Sequence, residues 1–242
     1  MIPDRYNMKK YIIANWKSNK TPQEAKTWLK TLFAKWPKNF CNSFEVVICA
    51  PFIDIPIMYE VAKEGVSIKL GIQNVSPFSD GPYTGEVSAR LVKEMTSYVI
   101  IGHSERRKYF SETDQIIADK TINTIKNGLI PIICISREKE ITLFENYVKG
   151  KLTPEEKQRI VFAYEPLWAI SSGSSDDPNN ADKFIENIKN NHSTATYIYG
   201  GSVDGQNVYS FIHQPHIDGV LVGTASLVVD TFLEVIKHAL PK

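Results

Sequence analysis

Eight short apolar runs, rich in Val, Ile and Tyr, recur along this chain roughly every 20–35 residues. They read YIIAN (11–15), VVICA (46–50), IKLGI (68–72), YVIIG (98–102), PIICI (131–135), IVFAY (160–164), TYIYG (196–200) and GVLVG (219–223). Apolarity is nearly continuous within each run and does not alternate. Such runs are buried on both faces, as strands of a parallel sheet are. Every interval leaves room for a βα unit.

The intervals carry helix punctuation. Thr21-Pro22-Gln23-Glu24 has the hydroxyl cap, first-turn proline and third-position carboxylate of a helix start, and Thr153-Pro154-Glu155-Glu156 repeats the arrangement. Ser111-Glu112-Thr113-Asp114 is predicted to open another helix, with Ile117, Ile122 and Ile125 on its apolar face and Asn127-Gly128 at its end. No Pro/Ser-rich linker divides the chain, so residues 1–242 read as one domain, a closed (β/α)8 barrel of eight parallel strands. An open doubly wound sheet is the competitor. It calls for a glycine-rich turn after the first strand, but Asn15-Trp16-Lys17-Ser18-Asn19 follows.

With 28 basic and 27 acidic side chains the net charge is +1, which argues against nucleic-acid or membrane-surface binding and leaves room for a local site for a small anion. Cys41, Cys49 and Cys134 show no ligand or disulfide spacing, and the last two sit in apolar runs as small buried side chains. The first residues hold no secretory signal pattern, no stretch approaches a membrane span, and the expected location is cytoplasmic. Met8 is an alternative start.

In such a barrel chemistry gathers where strands end. Asn15 and Lys17 follow the first run, His103-Ser104-Glu105 the fourth, Glu165 the sixth, Gly200-Gly201-Ser202 the seventh and Gly223-Thr224 the eighth. Taken singly each has a plain structural explanation: a solvated lysine, a helix-capping histidine, a surface acid, two turns. Together they suit proton transfer on an anionic substrate. His103 precedes a helix start, where the dipole disfavours an imidazolium. Glu165 lies among apolar neighbours, where a carboxylate is costly unless it is paired or used. Two small-residue turns after the last two strands match a barrel phosphate site. His213-Gln214-Pro215-His216 reads as a surface loop with no acidic partner near it, and Trp28 and Trp36 as packing residues.

Six motifs in order give the chain a close likeness to a known family. They are Asn15-Trp16-Lys17-Ser18-Asn19; Gln73-Asn74 with Thr84-Gly85-Glu86; Ile101 to Arg107; Ala163 to Ile170; Tyr199-Gly200-Gly201-Ser202; and Leu221-Val222-Gly223. In these the chain resembles the triosephosphate isomerase family over nearly its whole length. The resemblance implies a TIM barrel that interconverts dihydroxyacetone phosphate and D-glyceraldehyde 3-phosphate, in glycolysis and gluconeogenesis, with no metal or organic cofactor. It implies Glu165 as the base, His103 as a neutral electrophile, Lys17 and Asn15 on the substrate, Glu105 orienting the lysine and Ser104 holding Glu165. Ser171, Ser202, Gly223 and Thr224 are implied as the phosphate site, with a lid from Pro166 to about Asp176. It further implies a homodimer in which loop 76–86 enters the partner, with Thr84 near the partner active site. The family has glycine where this chain has Ser171, Thr224 and Ser136. Ser171 and Thr224 motivate an alternative, a catalytically impaired barrel that binds triose phosphates or a partner protein. A related barrel acting on a longer sugar phosphate is a third reading.

Overall fold

A computed structural model describes residues 10–37, 44–168, 175–192 and 195–240. Met1, Met8, Cys41 and Ser171 lie outside these ranges, as does the centre of the expected lid. In chain order the elements are β1 (Lys10–Asn15), α1 (Pro22–Ala34), β2 (Phe44–Ala50), α2 (Ile55–Ala62), β3 (Lys69–Ile72), α3 (Ala89–Val92), β4 (Tyr98–Ile101), α4 (Ser104–Phe110), α5 (Asp114–Lys126), β5 (Ile130–Ile135), α6 (Glu138–Val148), α7 (Pro154–Gln158), β6 (Val161–Tyr164), α8 (Pro178–Asn191), β7 (Thr196–Tyr199), α9 (Val208–Ile212), β8 (Gly219–Val222) and α10 (Val229–His238).

The strands pair in sequence order and β8 returns to β1, closing a barrel. Every pairing is parallel. The predicted runs and the strands coincide to within two residues. Their continuous apolarity has the expected cause. Ile13, Val47, Ile100, Ile132, Ala163, Ile198 and Leu221 fill the barrel interior. Their alternates, such as Ile12, Ala14, Ile48, Ile101, Ile133 and Phe162, pack outward against the helices. Both faces of each strand are thereby removed from water, which is the main stabilising contribution. Cys49 and Cys134 are buried in the inner layer.

Both predicted capping boxes are formed, at Thr21 with Glu24 and at Thr153 with Glu156. Ser111 departs from expectation. It does not open α5 but closes α4, with a left-handed φ of 54°. Thr113 is the cap, its hydroxyl accepting the Ile116 N–H at 3.3 Å. The three residues between the helices, 111–113, serve both ends, and sequence alone does not say where one stops. Trp28 is buried, edge-on to Trp16 with centroids 4.8 Å apart, and Trp36 packs on the core. Among the described residues no helix is long and apolar enough to cross a membrane.

Candidate active site

Asn15, Lys17, His103, Glu165, Ser202, Gly223 and Thr224 line one cavity of about 570 Å3 at the C-terminal mouth of the barrel. Backbone ladders run on past the strands to place them. Glu165 N–H donates to the Ile135 carbonyl at 2.7 Å, Gly200 N–H to Tyr164 at 2.7 Å and Trp16 N–H to Cys49 at 3.1 Å. The candidate residues therefore stand on sheet geometry, Asn15 as the last residue of β1 and the others just beyond the regular strands.

Glu165 is 2% exposed. Its Oε2 accepts the Ser104 backbone N–H at 3.0 Å. Its Oε1 lies 3.0 Å from His103 Nε2, yet finds no aligned donor among the described residues. Burial pushes the carboxyl pKa up; His103 and the Ser104 donor pull it down and prevail, so it lies below the usual carboxylate range.

His103 is the N-cap of α4: its Nδ1 accepts the Glu105 N–H at 3.3 Å. The structural reading of this histidine and the chemical one are the same contact. With Nδ1 occupied as an acceptor, Nε2 is the position for the ring proton, and it faces Glu165. Burial lowers the His103 pKa and the Glu165 carboxylate raises it, the carboxylate prevailing while the two side chains touch. A molecule lodged between them would weaken that pull, leaving burial, Lys17 and the helix dipole to favour the neutral ring against Glu105. Arg107 braces this turn from behind, donating to the Gly102 carbonyl at 3.0 Å while pairing with Asp114 at 2.6 Å.

Lys17 has a left-handed backbone, φ 55°. Its N–H donates to Asn15 Oδ1 at 3.0 Å, and its Nζ sits 2.6 Å from Glu105 Oε1. Glu105 thus fixes the lysine through its carboxylate and the histidine through its N–H. Beside it, at the end of the adjacent β8, residues 224–226 form a single 3₁₀ turn beginning at Gly223. A Cβ placed on Gly223 would lie 3.7 Å from Lys17 Cε, so amine and turn are neighbours. Gly201 has no alternative: a Cβ there would come within 2.2 Å of the Tyr199 hydroxyl. An ammonium beside main-chain amides at such a turn can hold a phosphate.

A sequence model of the triosephosphate isomerase family matches residues 10–239. The chain belongs to the triosephosphate isomerase family. Named relatives include the triosephosphate isomerases of Trichodesmium erythraeum, 40% identical over 96% of this chain and 100% of the relative, and of Picosynechococcus sp., 37% identical over the same shares. That of Mesomycoplasma hyorhinis is 35% identical over 94% of this chain and 98% of the relative.

Within this family member the structure brings together the sequence-predicted Asn15, Lys17, His103, Ser104, Glu105 and Glu165, with Ser202, Gly223 and Thr224 alongside. Ser171 falls outside the described residues. Three features escaped the sequence. The Tyr199 hydroxyl accepts the Asp176 N–H at 2.9 Å, tying the end of the expected lid to β7. Buried Glu140 takes the Ser136 N–H at 2.7 Å and its hydroxyl at 3.0 Å, so the serine at a family glycine position is satisfied locally. His216 does have an acidic neighbour: Asp182 Oδ2 lies 2.9 Å from its Nδ1. That carboxylate is 34 positions away in sequence, beyond the reach of a local spacing rule.

Proposed function

We propose that this chain interconverts dihydroxyacetone phosphate and D-glyceraldehyde 3-phosphate, folding as one domain for that task. The observation that carries the reading is the buried Glu165 carboxylate facing His103 Nε2 at 3.0 Å in one cavity with Lys17. Glu165 takes a proton from C1 of the ketose. The C–H electron pair forms the C1–C2 double bond, and the carbonyl pair moves to O2. His103 Nε2–H lies ready to protonate O2 and to recover a proton from O1, while Glu165 returns its proton to C2. Lys17 and Asn15 meet the negative charge that develops on the oxygens, where fixed donors in a desolvated site act strongly. Glu105 orients Lys17, and Ser104 holds Glu165 through its main-chain N–H. Ser202, Gly223, Thr224 and, from the lid, Ser171 take the phosphate.

A coupled assay with glyceraldehyde 3-phosphate tests this. The wild-type protein is expected to isomerise it. Glu165→Asp, which withdraws the carboxylate by one methylene, should lower kcat about 100-fold with substrate binding largely kept. A wild type without isomerase activity that still binds 2-phosphoglycolate would favour the impaired-barrel alternative.

The homodimer belongs to the same reading. Phe78 and Tyr83 stack at 4.3 Å with both rings exposed on loop 76–86. Tyr109 and Phe110 are also exposed, at the end of α4. Exposed aromatic surface of this kind suits a second copy, with Thr84 reaching the partner active site.

A further inference from the structure

The turn that faces Lys17 is pinned through its carbonyls. Ser226 Oγ donates to Gly223 O at 2.7 Å and Thr231 Oγ1 to Ala225 O at 2.8 Å. The Leu227 N–H donates to Thr224 O at 3.0 Å. These three bonds stay within residues 223–231. A further bond joins it to the neighbouring turn after β1: Lys20 Nζ donates to Leu227 O at 2.7 Å, across 207 positions of sequence.

Lys20 lies three residues beyond Lys17, on the same turn. Both have left-handed backbones, φ 55° and 73°, a conformation that L side chains other than Asn and Asp seldom adopt. Between them Asn19 Nδ2 donates to the Trp16 carbonyl at 2.7 Å, so the turn is fastened at both ends. The Lys20 ammonium sits 5.2 Å from the centroid of the fully buried Trp16 ring. Burial lowers its pKa against the opposing pull of Glu24 and Asp54. A half-buried ammonium on a carbonyl makes a stronger bond than a neutral donor would. Lys20 does not line the catalytic cavity; it faces a separate groove, behind the turn, with Leu227 and Val228.

We propose that Lys20 is a positioning residue for the isomerisation: held on the Leu227 carbonyl, its ammonium sets the spacing between the Lys17 turn and the amides of the phosphate-gripping turn. This rests on the phosphate site of the proposed function. The bond gives the charged side chain at this disfavoured backbone position a definite partner.

Three variants test it, with steady-state kinetics on glyceraldehyde 3-phosphate, calorimetric binding of 2-phosphoglycolate and thermal melting. Lys20→Met should raise KM and the 2-phosphoglycolate Kd together by about tenfold, with kcat within about threefold, because the grip on the phosphate is used in ground and transition state alike. Lys20→Gly removes the ammonium and also relieves the left-handed backbone, so its Tm should hold or rise while KM rises as in Lys20→Met. A merely structural lysine would move KM and Tm together. Lys20→Arg, which keeps charge and reach, should restore most of the affinity. Wild-type KM and 2-phosphoglycolate affinity in folded Lys20→Met and Lys20→Gly overturn the assignment. An inactive wild type overturns the underlying function as well, so the two failures are told apart by the parent protein alone.

Discussion

Glu165, the proposed base, shows how one contact can hold a carboxylate in reserve. His103 and the Ser104 N–H keep its carboxyl below the usual range against the effect of burial. When substrate separates the two side chains, the His103 share of that stabilisation of the anion is lost and burial remains, so the group becomes the stronger base it needs to be. The predicted consequence has a definite sign. Carboxyl NMR should place the Glu165 pKa of the free protein below the ordinary carboxylate value and move it upward with 2-phosphoglycolate bound; a fixed or falling value would refute the account. At this scale Asn15, Lys17, His103 and Glu165 were legible, because each follows a recognisable strand and is chemically conspicuous there. Lys20 and Tyr199 were not. Their partners, Leu227 and Asp176, are backbone groups, which carry no residue-type signal at all.

The elements convert strand ends into a site through short turns. Gly102 links β4 to the His103 cap with φ 66°, and a Cβ there would meet Ile117 Cδ1 at 2.6 Å. Gly102→Ala is expected to cost about 1–2 kcal/mol in chemical denaturation for the backbone alone. By pushing His103 off its position it should also lower kcat by about tenfold or more. Thr153→Ala is the contrast. It removes a capping box far from the cavity and should cost about 1 kcal/mol with kcat unchanged. Capping boxes are readable because all their atoms lie within four residues. Of the stretch Ser111 to Asp114, Thr113 and Asp114 open α5 as expected while Ser111 closes α4, because a hydroxyl residue between two helices suits either end and the φ of 54° decides. Glu140 was missed because its service to Ser136 needs the first turn of α6 to fold back over the end of β5.

At the scale of the whole molecule, closure of the barrel is what gathers strand ends 1, 4, 6, 7 and 8 around a single cavity. The exposed Phe78–Tyr83 stack carries the prediction for assembly. Phe78→Asp with Tyr83→Asp should convert a dimer to a monomer in sedimentation velocity and lower kcat, whereas a wild type that sediments as a monomer at micromolar concentration would remove the dimer from the account. The order of residues determined the alternation of buried strands and capped helices, the parallel sense of the sheet and which polar side chains stand at the strand ends. Those follow from burial and hydrogen bonding among near neighbours, which a linear pattern records. The distances that matter chemically depended on the folded chain: Nε2 to carboxylate, Lys17 to Glu105, Lys20 to Leu227. Each joins segments from different strand ends, and their meeting depends on the tilt and closure of the sheet, a property of all eight strands together and of no stretch of sequence by itself.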